Sequence, residues 1–101
     1  MTSDEHGDYL AVDGRAVYTF TPDTNNTSTC FDDCALTWPP VTGSVVAGEG
    51  VAGTLGGFTR PAGGGRQVTY NGDPLYFFAA DTAEGDTRGE GRGGVWFLAQ
   101  P

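Results

Sequence analysis

Cys30 and Cys34 stand four residues apart, and the chain has no other cysteine. Haem attachment requires C-x-x-C-H and a zinc site two further ligands, whereas the single histidine, His6, lies in a polar start. A thioredoxin-like centre uses C-x-x-C, and Asp32 and Asp33 between these thiols would raise their pKa and disfavour the thiolate. A structural disulfide is the reading that remains, and it implies an oxidising compartment. Closing so short a loop stabilises by only about 2 kcal/mol in the chain-entropy model, so the bridge serves mainly to pin the loop that carries Trp38-Pro39-Pro40.

Asp23 and Asp81 are the next residues with chemistry to offer. Paired carboxylates can do acid/base work on a glycoside, but a separation of 58 residues says nothing about distance. Each follows an aromatic strand, where Asp caps turns, and that is the expected role. The loops after them, DTNNTSTCFDD and DTAEGDTRGEG, are rich in oxygen ligands. They lack the central Gly and bidentate Glu of an EF-hand loop, and the second offers Ala83 and Gly85 where the first has Asn25 and Thr27, so no metal is expected. With one histidine there is no Ser-His-Asp or Cys-His set, and the glycines of GGFTRPAGGGR lack the Lys and Ser/Thr of a phosphate loop. No catalytic residue and no cofactor is therefore expected. Asn25-Asn26-Thr27-Ser28 holds two overlapping N-glycosylation acceptors. Trp38 and Trp96 could stack on a sugar ligand, although in so small a core they are also the largest fillers available.

These residues recur at one offset. A shift of 58 lays Gly14 on Gly72, Tyr18 on Tyr76, Phe20 on Phe78, Asp23 on Asp81 and Trp38 on Trp96, with no gap. Each copy opens on a hairpin, LAVDGRAVYTF or VTYNGDPLYFF, whose Asp13-Gly14 or Asn71-Gly72 suits a type I′ turn. Beyond each turn, Tyr18 with Phe20 and Tyr76 with Phe78 are two apart and share the core face. On the other face the first copy has Val17, Thr19 and Thr21 and the second Leu75, Phe77 and Ala79, so the second strand is expected to be the more central. FTRPAGGGRQVTY reads as a further hairpin, and a single helical turn is expected around Cys30 to Leu36. The fold expected is all-β, a small sandwich or barrel of about seven short strands built from a duplicated β-hairpin unit. Residues 1–8 read as a disordered tail and 9–101 as one β domain, with repeat one about 9–43, repeat two about 67–101 and linker strands between.

The whole chain is 101 residues, 38% hydrophobic, with 17 Gly and 6 Pro, which is enough for one modest core. Its five basic residues are all Arg against 13 acids, a net charge of −8. That field repels nucleic acid and anionic membrane surfaces. No window approaches a spanning helix, and the polar start is no signal peptide, so any membrane attachment is expected through a removed N-terminal anchor.

The runs YTFTPD, STCFDDCALTWPP, LGGFTR, VTYNGDPLYFFAAD and GGVWF resemble the bacterial and archaeal family called secreted repeat of unknown function, predicted lipoproteins or exported proteins with a Yx(FWY)xxD motif. The motif occurs twice, as Tyr18, Phe20, Asp23 and as Tyr76, Phe78, Asp81. Phe31-Asp32-Asp33 departs from the small or Gly-containing insert of relatives, a difference confined to the loop. The resemblance implies export, the disulfide and the duplication, and transfers no activity. The expected role is a non-enzymatic exported or envelope module, a scaffold or a binder of an envelope protein or small ligand. The alternative is a redox- or metal-linked accessory protein that uses a switchable Cys30-Cys34 bridge or the acidic loops.

Overall fold

The computed structural model describes residues 2–3, 7–12, 14–24, 27–30, 33–42, 53–60, 65–83 and 86–100. In chain order these form β1 (Thr2–Ser3), β2 (Gly7–Asp8), β3 (Ala11–Val12), β4 (Arg15–Ala16), β5 (Tyr18–Phe20), α1 (Asp33–Thr37), β6 (Leu55–Thr59), β7 (Arg66–Tyr70), β8 (Asp73–Pro74) and β9 (Trp96–Leu98), with a 3-10 turn at Arg92–Gly94 before β9. The all-β reading holds. The strands stand in small separate antiparallel sheets, β1-β2, β3-β4, β5-β9 and β6-β7-β8, and among the described residues they close no barrel. β1 and β2 fall within the segment read as a tail, pairing Thr2 with Asp8 and Ser3 with Gly7.

Both expected hairpins form. Gly14 has φ 81, and Asn71 and Gly72 have φ 52 and 87, the left-handed pair that a type I′ turn requires. Val12 pairs with Arg15 across the first turn and Tyr70 with Asp73 across the second. The linker hairpin also forms, pairing Leu55 with Tyr70 through Thr59 with Arg66.

The two copies interlock. Tyr18 and Tyr76 sit opposite each other and exchange both backbone bonds, at 2.7 and 2.9 Å. The stretch after each tryptophan then leaves its own copy and pairs with the other. Val41 donates to Leu75 (3.0 Å) and accepts from Val68 (2.8 Å), while Ala99 donates to Val17 (3.0 Å) and accepts from Leu10 (2.8 Å). The two sets are related by the 58-residue shift. Pro40 likewise sits opposite Tyr76 as Leu98 sits opposite Tyr18. Each hairpin thus receives its third strand from the opposite repeat.

Strand alternation around this seam builds two cores. One face gathers Tyr9, Tyr18, Cys30, Trp38, Tyr76, Phe78, Trp96 and Leu98, and the other Leu10, Val17, Val41, Val68, Tyr70, Leu75 and Ala99. The expected asymmetry between the copies is absent: Val17 and Leu75 are both buried, Thr19 and Phe77 half-buried, Thr21 and Ala79 exposed. Reciprocal strand exchange covers both hairpins alike, which the differing residue types had concealed.

Candidate functional site

The motif residues meet at the seam, and each pairs across it. Tyr18 donates its phenolic proton to Asp81 Oδ2 at 2.6 Å, and Tyr76 donates to Asp23 Oδ2 at 2.5 Å. Both phenols are wholly buried. Burial foremost, and then the carboxylate that receives the proton, pushes each well above the ordinary phenol value. The remaining carboxylate oxygens hold loops. Asp81 Oδ1 accepts from the Arg88 N–H at 2.9 Å, and Asp23 Oδ1 accepts from the Thr29 N–H and hydroxyl, both at 2.7 Å. The turn-capping role is thus combined with a bond between repeats, formed because each strand ends where the opposite tyrosine points.

The two phenolic oxygens differ in what they accept. Tyr18 takes the Gly89 N–H at 3.1 Å. Tyr76 contacts Ser28 Oγ at 2.5 Å, and since its only proton goes to Asp23, Ser28 is the donor there. Ser28 Oγ in turn accepts from Arg60 Nη1 (3.1 Å), whose guanidinium also donates to Gln67 Oε1 (2.6 Å) and the Cys30 carbonyl (2.7 Å). Arg60 and Gln67 are buried. A directed chain therefore runs from guanidinium through two hydroxyls to a carboxylate. Three bonds from the guanidinium offset part of the cost of burying it. The sequence marks Ser28 only as part of a glycosylation acceptor and does not single out Arg60 or Gln67, because nothing local marks an arginine as buried. Both Arg60 and Gln67 lie within the expected linker hairpin, where their spacing carries no sign of burial.

Around the phenols the aromatic rings form a column. Phe20 stacks on Trp96 (4.1 Å between centroids), Trp96 on Trp38 (3.9 Å, planes 4° apart) and Trp38 on Phe78 (4.2 Å). Tyr18 meets Trp38 edge-on at 5.4 Å and Tyr76 meets Trp96 at 5.1 Å. Both indoles are buried, and both faces of each are covered by another ring, so a sugar could stack only by displacing one.

Cys30 and Cys34 are bonded, with Cα atoms 5.2 Å apart. The bridge joins buried Cys30 to α1, and the Trp38 N–H donates to the Cys34 carbonyl at 2.8 Å, so the disulfide loop leads directly into the indole. In the second copy's loop, Asp86 Oδ2 accepts from the Thr82 and Ala83 N–H groups, each at 3.0 Å, which holds its carboxyl below the ordinary range. Arg92 lies over the Phe78 ring at 5.2 Å and Arg15 over Phe77 at 4.5 Å. Among the described residues no three His, Cys, Asp or Glu side chains converge. Asn25 and Asn26 of the glycosylation sequence lie outside the described residues.

A duplicated, disulfide-bonded β domain whose copies are joined through reciprocal Tyr-Asp bonds is the class that this geometry defines. The chain belongs to the family described as secreted repeat of unknown function, whose model matches it twice, over residues 4–42 and 58–100. The secreted character of that family supports a location outside the cytoplasm, and no helix among the described residues is long and apolar enough to cross a membrane. No curated protein and no solved structure matches the chain.

Proposed function

We propose that the chain is a non-enzymatic module of the cell envelope or extracellular space, a stable scaffold that presents its loops to a partner protein or small ligand. The observation that carries this reading is the engagement of the motif itself: both tyrosines hand their protons to the aspartates of the opposite copy. The groups most able to do chemistry are occupied in joining the repeats, and the tryptophans are occupied in the column. The copies differ in their loops, with the disulfide loop in one and the acidic, Gly-rich stretch around Arg88 and Arg92 in the other, so partner contacts belong there. The family's description as secreted supports export, and its resemblance to predicted lipoproteins supports a lipid anchor on the natural precursor.

The test is an NMR titration of the purified protein with envelope polysaccharides and soluble envelope proteins, alongside ester, glycoside and peptide substrates. The expected result is shifts confined to the loops and no turnover. Turnover lost in Asp81→Asn with an unchanged melting temperature would place chemistry at the seam and overturn the reading.

A further inference from the structure

The reciprocal Tyr-Asp bonds and the stacked indoles meet around Tyr18, and joining two repeats does not require them to. Tyr18 holds its phenol 2.6 Å from Asp81 Oδ2 and its ring edge-on to Trp38, at 5.4 Å between centroids. We propose that Tyr18 is a site of reversible one-electron oxidation, with Asp81 receiving its proton and the Trp38-Trp96 stack passing the electron to an external one-electron oxidant.

A phenol that loses an electron becomes a strong acid, so a buried tyrosine is readily oxidised only where a base already holds its proton. The step balances within one hydrogen bond. The Tyr18 Oη–H bond breaks, an H–Oδ2 bond forms on Asp81, the phenol becomes a neutral tyrosyl radical, and the oxidant takes up the electron. Return of one electron reverses each change. The pair passes from one negative charge to none, and Asp81 is 3% exposed, so burial, which disfavours a carboxylate, favours the oxidised arrangement.

The column supplies the route. Tyr18 is 0% exposed, while Trp38 and Trp96 each reach the surface at 6%, so the indoles are the outlet for the electron. They stack at 3.9 Å with planes 4° apart, close enough to share a positive hole between them. A hole on Trp38 is then filled from Tyr18 across the edge contact. The net charge of −8 stabilises that transient cation and draws in a cationic oxidant.

The two copies are not equivalent sites. Tyr76 also meets an indole edge-on, Trp96 at 5.1 Å, and also donates to a carboxylate. Its oxygen, however, accepts from Ser28, which Arg60 holds in turn, so a buried cation stands one hydroxyl away and opposes the loss of an electron. Asp23 is only half-buried and takes two further bonds from Thr29, which make it the weaker base. Asp81 takes the Arg88 N–H on its other oxygen, and the phenolic oxygen of Tyr18 takes a neutral backbone N–H from Gly89. Tyr70 accepts from the Gly53 N–H and belongs to the other core, away from the indoles. The hole therefore settles on Tyr18. This goes beyond the scaffold role, which stands whether or not the seam passes electrons.

The experiment uses the full chain with its disulfide intact and photogenerated ruthenium(III) tris-bipyridine, a cationic one-electron oxidant. The expected sequence is an indole radical that gives way to a tyrosyl radical, followed by transient absorption and identified by electron paramagnetic resonance. Tyr18→Phe should lose the tyrosyl signal and lengthen the life of the indole radical, and Asp81→Asn should do the same, whereas Tyr76→Phe keeps the signal. In the unsubstituted protein the conversion should be slower after full exchange into heavy water, because a proton moves with the electron. That readout needs no variant to fold, and a merely structural bond would not give it. A tyrosyl signal that survives in Tyr18→Phe or Asp81→Asn, or that vanishes in Tyr76→Phe, overturns the proposal. So does an indole radical that never converts, or a conversion equally fast in heavy water. None of these outcomes touches the loop contacts on which the scaffold role is tested.

Discussion

A buried phenol bonded to a carboxylate stabilises the fold only while both partners keep their protonation states. The native Tyr18 and Tyr76 hold their protons well above the ordinary value of 10.0, and the unfolded chain does not. Their contribution is therefore complete below about pH 10 and is lost as the pH rises beyond it, by at most one proton for each tyrosine. The melting temperature should fall steeply on the alkaline side, and Tyr18→Phe should flatten that fall while lowering the plateau at neutral pH. A thermal scan from pH 7 to 11 checks both. The pairing pattern is itself measurable. Double-mutant cycles should give coupling of about 0.5–3 kcal/mol for Tyr18 with Asp81 and for Tyr76 with Asp23, and near zero for Tyr18 with Asp23. At this scale the sequence showed which residue types matter but not their partners. A motif repeated at 58 residues looks like two local caps, and only folding decides that each aspartate serves the opposite tyrosine.

Among the elements, the disulfide loop and the loop at Gly89 act on the same indole from different directions. An added Cβ on Gly89 would meet Trp38 Cη2 at 2.7 Å and Tyr18 Cε2 at 2.9 Å, so Gly89→Ala forces the column apart. Overpacking of this kind costs about 1–3 kcal/mol, and calorimetry should show it as a lower melting temperature with native far-UV dichroism retained. Reducing the Cys30-Cys34 bridge should remove about 2 kcal/mol from the chain-entropy term, read from urea denaturation with and without reductant. The hairpins were the most legible elements, because Asp13-Gly14 and Asn71-Gly72 carry their turn chemistry in two residues. The aromatic column was not. Stacking four rings depends on the two exchanged strands arriving side by side, a non-local outcome that no spacing encodes.

Over the whole molecule, the exchange of third strands makes each repeat incomplete without the other. Residues 1–48 and 49–101 produced as separate chains should each lack a cooperative melt, and mixing them should restore one, together with the native tryptophan emission. Two independently folded fragments would contradict the interlocked pairing of Val41 with Leu75 and of Ala99 with Val17. The sequence revealed the duplication but not how the copies pair, since an internal repeat looks the same whether its copies stack or interpenetrate. Reciprocal lending of a strand is also the geometry of a symmetric homodimer, in which the same surface faces itself. Joined in one chain, the two halves no longer have to match themselves. The seam is accordingly unequal: on one side Tyr76 is held by Ser28 beneath the buried Arg60, and on the other Tyr18 is held by a backbone N–H of Gly89. A single chain thus lets the two sides of one seam carry different partners, which a symmetric pair of identical units could not.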